Sequence, residues 1–210
     1  MLDVSELIKR LDKYYPNPQT SLNYGNPFEL LVATILSAQC TDVRVNEVTK
    51  TLFQKYRGPQ DLAEANLTEL EEDVRPTGFF KNKAKNLKNC AAQIVARFNG
   101  RVPTTLDELV SLPGVGRKTA NCVLGSAYGI PGIVVDTHVA RVSQRLGLTD
   151  HEDPVKIEFA LMELIPKDHW VDFSHQIILH GRAVCQARKP ACPQCRLNDL
   201  CRYYQGTLRN

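Results

Sequence analysis

The sequence predicts an all-α protein, and three observations carry that expectation. Apolar residues recur at helical spacing along nearly the whole chain, as in Phe28, Leu31, Ile35 and Leu36 or in Ile157, Leu161, Leu164 and Ile165. The stretches between them are abrupt and rich in proline, glycine and asparagine. Period-two alternation is confined to Ile133-Val134-Val135, between Gly132 and Asp136, and that piece is equally readable as an extended connector.

In chain order, residues 1–15 form an amphipathic, mixed-charge pattern that stops at Tyr15-Pro16-Asn17-Pro18. The stretch from Phe28 to Leu36 follows, then Val45, Val48, Leu52 and Phe53 up to Arg57-Gly58-Pro59. Residues 61–73 hold six acids and no base, whereas residues 75–101 hold seven bases and no acid. One charge run alone is usually a solvated surface, but this polarity suggests a face for a polyanion. The basic stretch ends between Asn99-Gly100 and Pro103, where Thr104 or Thr105 ahead of Asp107 and Glu108 reads as an N-cap. Breaks at Pro113-Gly114 and Ile130-Pro131-Gly132 come next, and Asp153 before Pro154 reads as a further helix start. Helices of roughly 8 to 15 residues fit between these breaks. Tandem repeats and low-complexity tracts are absent.

At 210 residues the chain is long enough for one domain or two small ones. With 43% hydrophobic and 23% charged residues, neither disorder nor a membrane span is favoured. No apolar run approaches the roughly 18 to 20 residues of a membrane-crossing helix, and the first residues do not read as a signal peptide. The expected location is the cytoplasm, with no membrane partner. Seven cysteines, an odd number without an export signal, argue for reduced thiols or metal ligands rather than a disulfide framework. The net charge of +3 says little about partners by itself.

The stretch LPGVGRKTA, from Leu112 to Ala120, places a tight turn between two helical patterns and makes a helix-hairpin-helix unit at about 106–128. Glycines give such a turn backbone angles closed to other residues and let N–H groups approach a phosphate. The following helix adds unpaired amides and a positive dipole end. Gly114, Val115, Gly116 and Arg117 are therefore candidate contacts to a DNA backbone, gripping it without reading its sequence. Lys118 sits in the first helical turn, where the dipole disfavours a cation and would favour the neutral, nucleophilic amine. Taken alone, a lysine in a first turn is more often just a surface lysine, and its functional reading depends on a second group. In GIVVDTHVAR, residues 132–141, Asp136 stands just before a helix, and taken alone it reads as an N-cap.

The chain's last stretch spaces Cys185, Cys192, Cys195 and Cys201 as C-x6-C-x2-C-x5-C, which points to metal ligation. Zinc ribbons pair two C-x-x-C knuckles, and only Cys192 and Cys195 form one here, so both zinc and an iron–sulfur cluster remain open on the residues alone. Cys40, Cys90 and Cys122 fall on apolar helical faces and read as core residues. From Cys185 onward five arginines and lysines, including Arg188 and Lys189, face one aspartate.

Read together, L-P-G-V-G-R-K-T-A, V-D-T-H-V and the cysteine spacing resemble the helix-hairpin-helix DNA glycosylase superfamily, in its endonuclease III branch. The resemblance runs from the Leu30 region to Cys201. It implies a 4Fe-4S cluster on Cys185, Cys192, Cys195 and Cys201. It also implies two helical lobes with a DNA cleft between them: a six-helix barrel over 20–130 carrying the hairpin, and a discontinuous iron–sulfur domain of 1–19 plus 131–210 with its cluster loop at 185–201. Lys118 becomes a Schiff-base nucleophile and Asp136 its acid–base and electrostatic partner, meeting at the mouth of that cleft. The implied activity is a bifunctional glycosylase and AP lyase of base excision repair, acting as a monomer. Its partner is double-stranded DNA with damaged pyrimidines or abasic sites, in a bacterial-type, nucleoid-associated setting.

Two stretches match the family's positions for filling the gap left by an extruded base. S-A-Q-C-T-D makes Gln39 the plug candidate, equally readable as a polar helix-end residue, and P-T-G-F-F-K-N-K-A makes Phe79 the wedge. Many relatives carry an aliphatic residue where Phe79 stands, which bears on opposite-strand preference. His138 is a candidate contact to the lesion or a phosphate; as a lone histidine it also reads as a plain hydrogen-bonding residue. His151, His169, His175 and His180 show no ligand pattern and receive no role. Two rivals remain: a monofunctional adenine-mismatch glycosylase, whose members usually lack the lysine, and a non-catalytic DNA-binding module, which would need neither Lys118 nor Asp136.

Overall fold

A computed structural model of the chain describes residues 2–208, and Met1, Arg209 and Asn210 lie outside them. The described residues form twelve α-helices and three short 3-10 turns, with no strand, so the fold is all-α as the sequence predicts. They divide into two compact units, 20–130 and 2–19 with 131–208.

The first unit contains α2 (Pro27–Leu36), α3 (Asp42–Lys55), α4 (Pro59–Glu64), α5 (Leu67–Val74), α6 (Phe80–Phe98), α7 (Leu106–Val110) and α8 (Arg117–Tyr128). Its central helix is α2, buried over every residue from Leu30 to Leu36 because its sequence is apolar all round. Helices α4 and α5 pack on α6, and α8 packs on α2 and α7. Starts are set by side-chain caps: Asn26, Thr41, Asn66 and Thr105 each accept a first-turn amide. Thr105 also donates its hydroxyl to the Glu108 carboxylate at 2.7 Å, which fixes the cap side chain.

The acids of 61–73 are met mainly from outside the basic run: Lys55 pairs with Glu69 and Asp73 at 2.6 Å, and Arg75 pairs with Glu72 across the two runs. Within the basic run, Lys88 is turned to the Ala65 carbonyl. Lys81 and Lys85 stay exposed on α6, so the cationic face is narrower than the charge run suggests.

The second unit contains α1 (Val4–Tyr14), α9 (Thr137–Leu146), α10 (Pro154–Leu164), α11 (Trp170–Ala183) and α12 (Arg202–Thr207). Its core gathers Leu7 and Leu11 of α1, Val139 and Val142 of α9, Ile157 and Leu161 of α10 and Phe173 and Ile177 of α11. Residues 131–136 are an extended connector without a strand partner. Ile133, Val134 and Val135 are buried in it, and the Val134 amide is satisfied by the Ser174 hydroxyl at 3.0 Å. Asp153 caps α10 at Val155 and Lys156 with Pro154 in the first turn.

Candidate functional site

The hairpin is built on buried Leu109, Leu112 and Val115, and successive amides of this turn bond back to Leu109 and Leu112 carbonyls at 3.1 Å. Its two glycines serve different ends. Gly114 has φ +77 and faces Asn86, whose Cβ would lie 2.9 Å from any added Cβ. Gly116 has an ordinary φ of −90 and open space around it. The conformational need inferred for the turn therefore holds at Gly114, whereas Gly116 leaves clear the approach to the start of α8. No side chain caps α8, so its first-turn amides are not bound by an N-cap side chain. Val115 departs from its expected place among the phosphate contacts: its amide is bonded to Leu112 and its side chain is buried, which makes it a packing residue of the turn.

Arg117 is half-buried and Lys118 is exposed at the second position of α8. One turn on, burial pushes the Cys122 thiol up, with the positive charge of Lys118 acting against it. Asp136 is the N-cap of α9, and its Oδ1 accepts the amides of His138 and Val139 at 2.8 Å each. Its Oδ2 lies 3.0 Å from Nδ1 of His138. The cap reading is thus correct in geometry, and it leaves the carboxylate 18% exposed. His138 is held by that carboxylate, and Gly181 leaves room for its ring: an added Cβ there would meet the His138 Cβ at 3.0 Å.

Gln39 and Phe79 both have left-handed backbones, with φ +53 and φ +48. Gln39 is exposed in the turn after α2, whose C-cap is Ser37, so Gln39 is not the capping residue. Phe79 is the N-cap of α6 and is 65% exposed.

Cys185, Cys192, Cys195 and Cys201 line one pocket with Val142, His180 and Tyr204. Among the described residues no three metal-binding side chains converge closely enough for a single ion. Burial, then the neighbouring thiols, push Cys192 up, and burial pushes Cys195 up, so a deprotonated set needs a cationic centre among it. Two residues missed in the sequence bind this shell. His180 places Nε2 3.6 Å from the Cys195 sulfur and Nδ1 2.9 Å from the Tyr15 hydroxyl. Arg145 donates to the Cys185 sulfur at 3.4 Å and to the Gln186 and Ala187 carbonyls. Only the three-dimensional fold reveals them, because His180 meets Cys195 fifteen residues further on and Arg145 meets Cys185 forty residues further on.

Of the tail's cations, Arg188 and Lys189 are exposed in the loop after Cys185, and Lys189 has φ +52. Arg202 is instead directed at Asp150 at 2.6 Å, and Arg209 lies outside the described residues. Cys90 and Cys122 are buried, and Cys40 is half-buried against the core. No helix among the described residues is long and apolar enough to cross a membrane.

Residues 32–167, which include the hairpin, Lys118 and Asp136, match the family model described as HhH-GPD superfamily base excision DNA repair protein. Endonuclease III of Synechocystis sp. is 56% identical over 198 residues, 94% of this chain and 90% of that protein. A non-covalent Endonuclease III–DNA complex superposes with a TM-score of 0.94 at 46% identity, covering 100% of both chains. A trapped Endonuclease III–DNA covalent intermediate does so with a TM-score of 0.93, again at 46% identity and 100% of both chains. Motif, helical fold and near-complete coverage agree, and the chain belongs to the HhH-GPD superfamily of base excision DNA repair proteins, in its endonuclease III family.

Proposed function

We propose that this chain is a bifunctional DNA glycosylase and AP lyase that removes oxidised pyrimidines from double-stranded DNA and nicks the strand 3′ to the resulting abasic site. The observation that carries this reading is an exposed lysine, Lys118, in the first turn of the hairpin helix of a chain similar over its full length to a protein trapped covalently on DNA.

The damaged nucleotide must leave the stack, since its glycosidic carbon is inaccessible within the duplex. The neutral Lys118 amine attacks C1′, the C1′–N bond breaks, and the base departs with a proton. The C1′–O4′ bond of the resulting aminal then breaks, O4′ takes a proton and leaves as the 4′-hydroxyl, and Nζ and C1′ are joined as a protonated imine. The imine acidifies the C2′ proton; its loss expels the 3′ phosphate, and water then releases the lysine. Asp136 accepts the lysine proton and stabilises positive charge on the sugar while still capping α9. His138, bonded to that carboxylate, orients it and can meet the lesion or a phosphate.

Gly114, Gly116 and Arg117 bring the hairpin to the phosphates, with Gln39 as plug and Phe79 as wedge; an inserted aromatic ring stacks on a neighbouring base. We read residues 20–130 as the barrel domain and 1–19 plus 131–210 as the iron–sulfur domain. The four cysteines fit a 4Fe-4S cluster through their spacing and shared cavity. The cluster staples the loop that presents Arg188 and Lys189 to DNA. We read the protein as a monomer that acts on DNA in the cytoplasm of a bacterial-type cell.

The test is borohydride trapping on duplex DNA carrying thymine glycol, with Lys118→Ala beside the native chain. A covalent complex that disappears in the variant is expected. Base loss without trapping would instead mean a monofunctional enzyme acting through water. Binding without either event, across oxidised pyrimidines and adenine mismatches, would leave only a DNA-binding module.

A further inference from the structure

Lys83 stands one turn beyond Phe79 on α6 and is only 5% exposed. Burying an ammonium is costly unless its protons are met. Here its Nζ donates to the Leu36 carbonyl at 2.8 Å and to the Thr77 carbonyl at 2.7 Å. Its backbone amide donates to the Phe79 carbonyl at 3.1 Å. Leu36 is the last residue of α2, so the ammonium also faces the negative end of that helix. Thr77 is itself buried, with its hydroxyl bonded to the Val74 carbonyl at 2.8 Å. Burial lowers the pKa of Lys83, with the half-buried Cys40 acting in the opposite direction.

The carbonyls that Lys83 holds belong to the segments that lead into Gln39 and Phe79, both exposed and left-handed. Gln39 follows Leu36 by three residues, and Phe79 follows Thr77 by two. Backbones in that region persist only where the surroundings over-determine them. An aliphatic residue would fill the position of Lys83 as well, but it could not bridge two carbonyls from separate segments.

We propose that Lys83 is a positioning residue whose buried ammonium ties the Gln39 turn to the Phe79 loop, so that plug and wedge enter the duplex together. The inference rests on the roles given above to Gln39 and Phe79. Lys83 itself touches no DNA and takes no part in the bond-breaking steps. Two tethered side chains share one ordering cost, so their effects on base extrusion are not independent.

The experiment combines Gln39→Ala, Phe79→Ala and the double variant with Lys83→Met. Extrusion is read from 2-aminopurine placed opposite thymine glycol, and chemistry from single-turnover cleavage. In the native background the double variant should depart from the product of the single effects by at least about threefold. Lys83→Met should lower single-turnover excision by about 10- to 100-fold and weaken the 2-aminopurine signal, and it should leave affinity for undamaged duplex unchanged. The departure from additivity should vanish in that background. Additive effects in the native background overturn the tie without needing Lys83→Met to fold. So does normal extrusion in Lys83→Met, or loss of undamaged-duplex affinity in step with excision. If the native chain neither extrudes nor excises any lesion, the proposed function fails first and the tie with it; native excision beside an unaffected Lys83→Met refutes the tie alone.

Discussion

Asp136 carries a structural and a chemical role, and its two oxygens separate them. In Asp136→Asn the amide oxygen still accepts the His138 and Val139 amides, each bonded at 2.8 Å in the native chain. The amide nitrogen then faces His138 Nδ1, 3.0 Å from Oδ2, and a neutral imidazole accepts that bond as the Nε2–H tautomer. What remains lost is the carboxylate's attraction to the helix start, about 0.3–1 kcal/mol. Asp136→Ala loses that and the cap, a further ~1–2 kcal/mol. Urea unfolding should therefore rank native, Asn and Ala in descending order, with the Asn variant within about 1 kcal/mol of native. Activity should follow another order: without a base both variants fall by about 100-fold or more in single-turnover excision. Were the Asn variant to keep activity within about fivefold of native while the Ala variant lost it in proportion to stability, Asp136 would be a cap alone and the reasoning would be wrong.

The hairpin glycines should part in the same way. Gly114→Ala, with its positive φ and Asn86 at 2.9 Å, should lower stability by about 1–3 kcal/mol in a thermal or urea melt. Gly116→Ala should change stability by less than about 1 kcal/mol but weaken DNA binding. Replacing Arg188 and Lys189 by alanine should reduce the slope of log affinity against log salt by about 2, measured by titration at several salt concentrations. Burial holds His175 below its ordinary 6.5, so the unfolded chain takes up the proton first. Stability from this group is full above that value and is lost as pH falls below it; His175→Gln should flatten the fall in urea midpoint from about pH 7 to about pH 5. His180, pushed down to about 4 by burial, acts with the same sign, so part of the fall remains. Anaerobically isolated protein should carry iron and sulfide, and Cys192→Ser should lose both together with thermal stability.

Much of this was readable from residues in order along the chain. Helical periodicity, the caps at Thr105 and Asp153, and the turn at Pro113-Gly114 are local, because helix hydrogen bonds and cap contacts span four residues or fewer. The cysteine spacing is local for the same reason, since all four lie in one short loop. The motifs around Lys118 and Asp136 were legible through their resemblance to a family, not through any force visible in the sequence. The remainder depended on contacts between residues distant in sequence. Asn86 explains Gly114, Ser174 pins the Ile133–Val135 connector, and His180 and Arg145 surround the cysteines. Lys83 reads in sequence as one cation among seven, and only packing removes it from water and gives its protons two carbonyls from separate segments. Sequence alone thus determined the helices, the turn and the ligand spacing, which arise from short-range geometry. Tertiary structure decided which charges are exposed and which are buried, because desolvation depends on neighbours that the order of residues does not name.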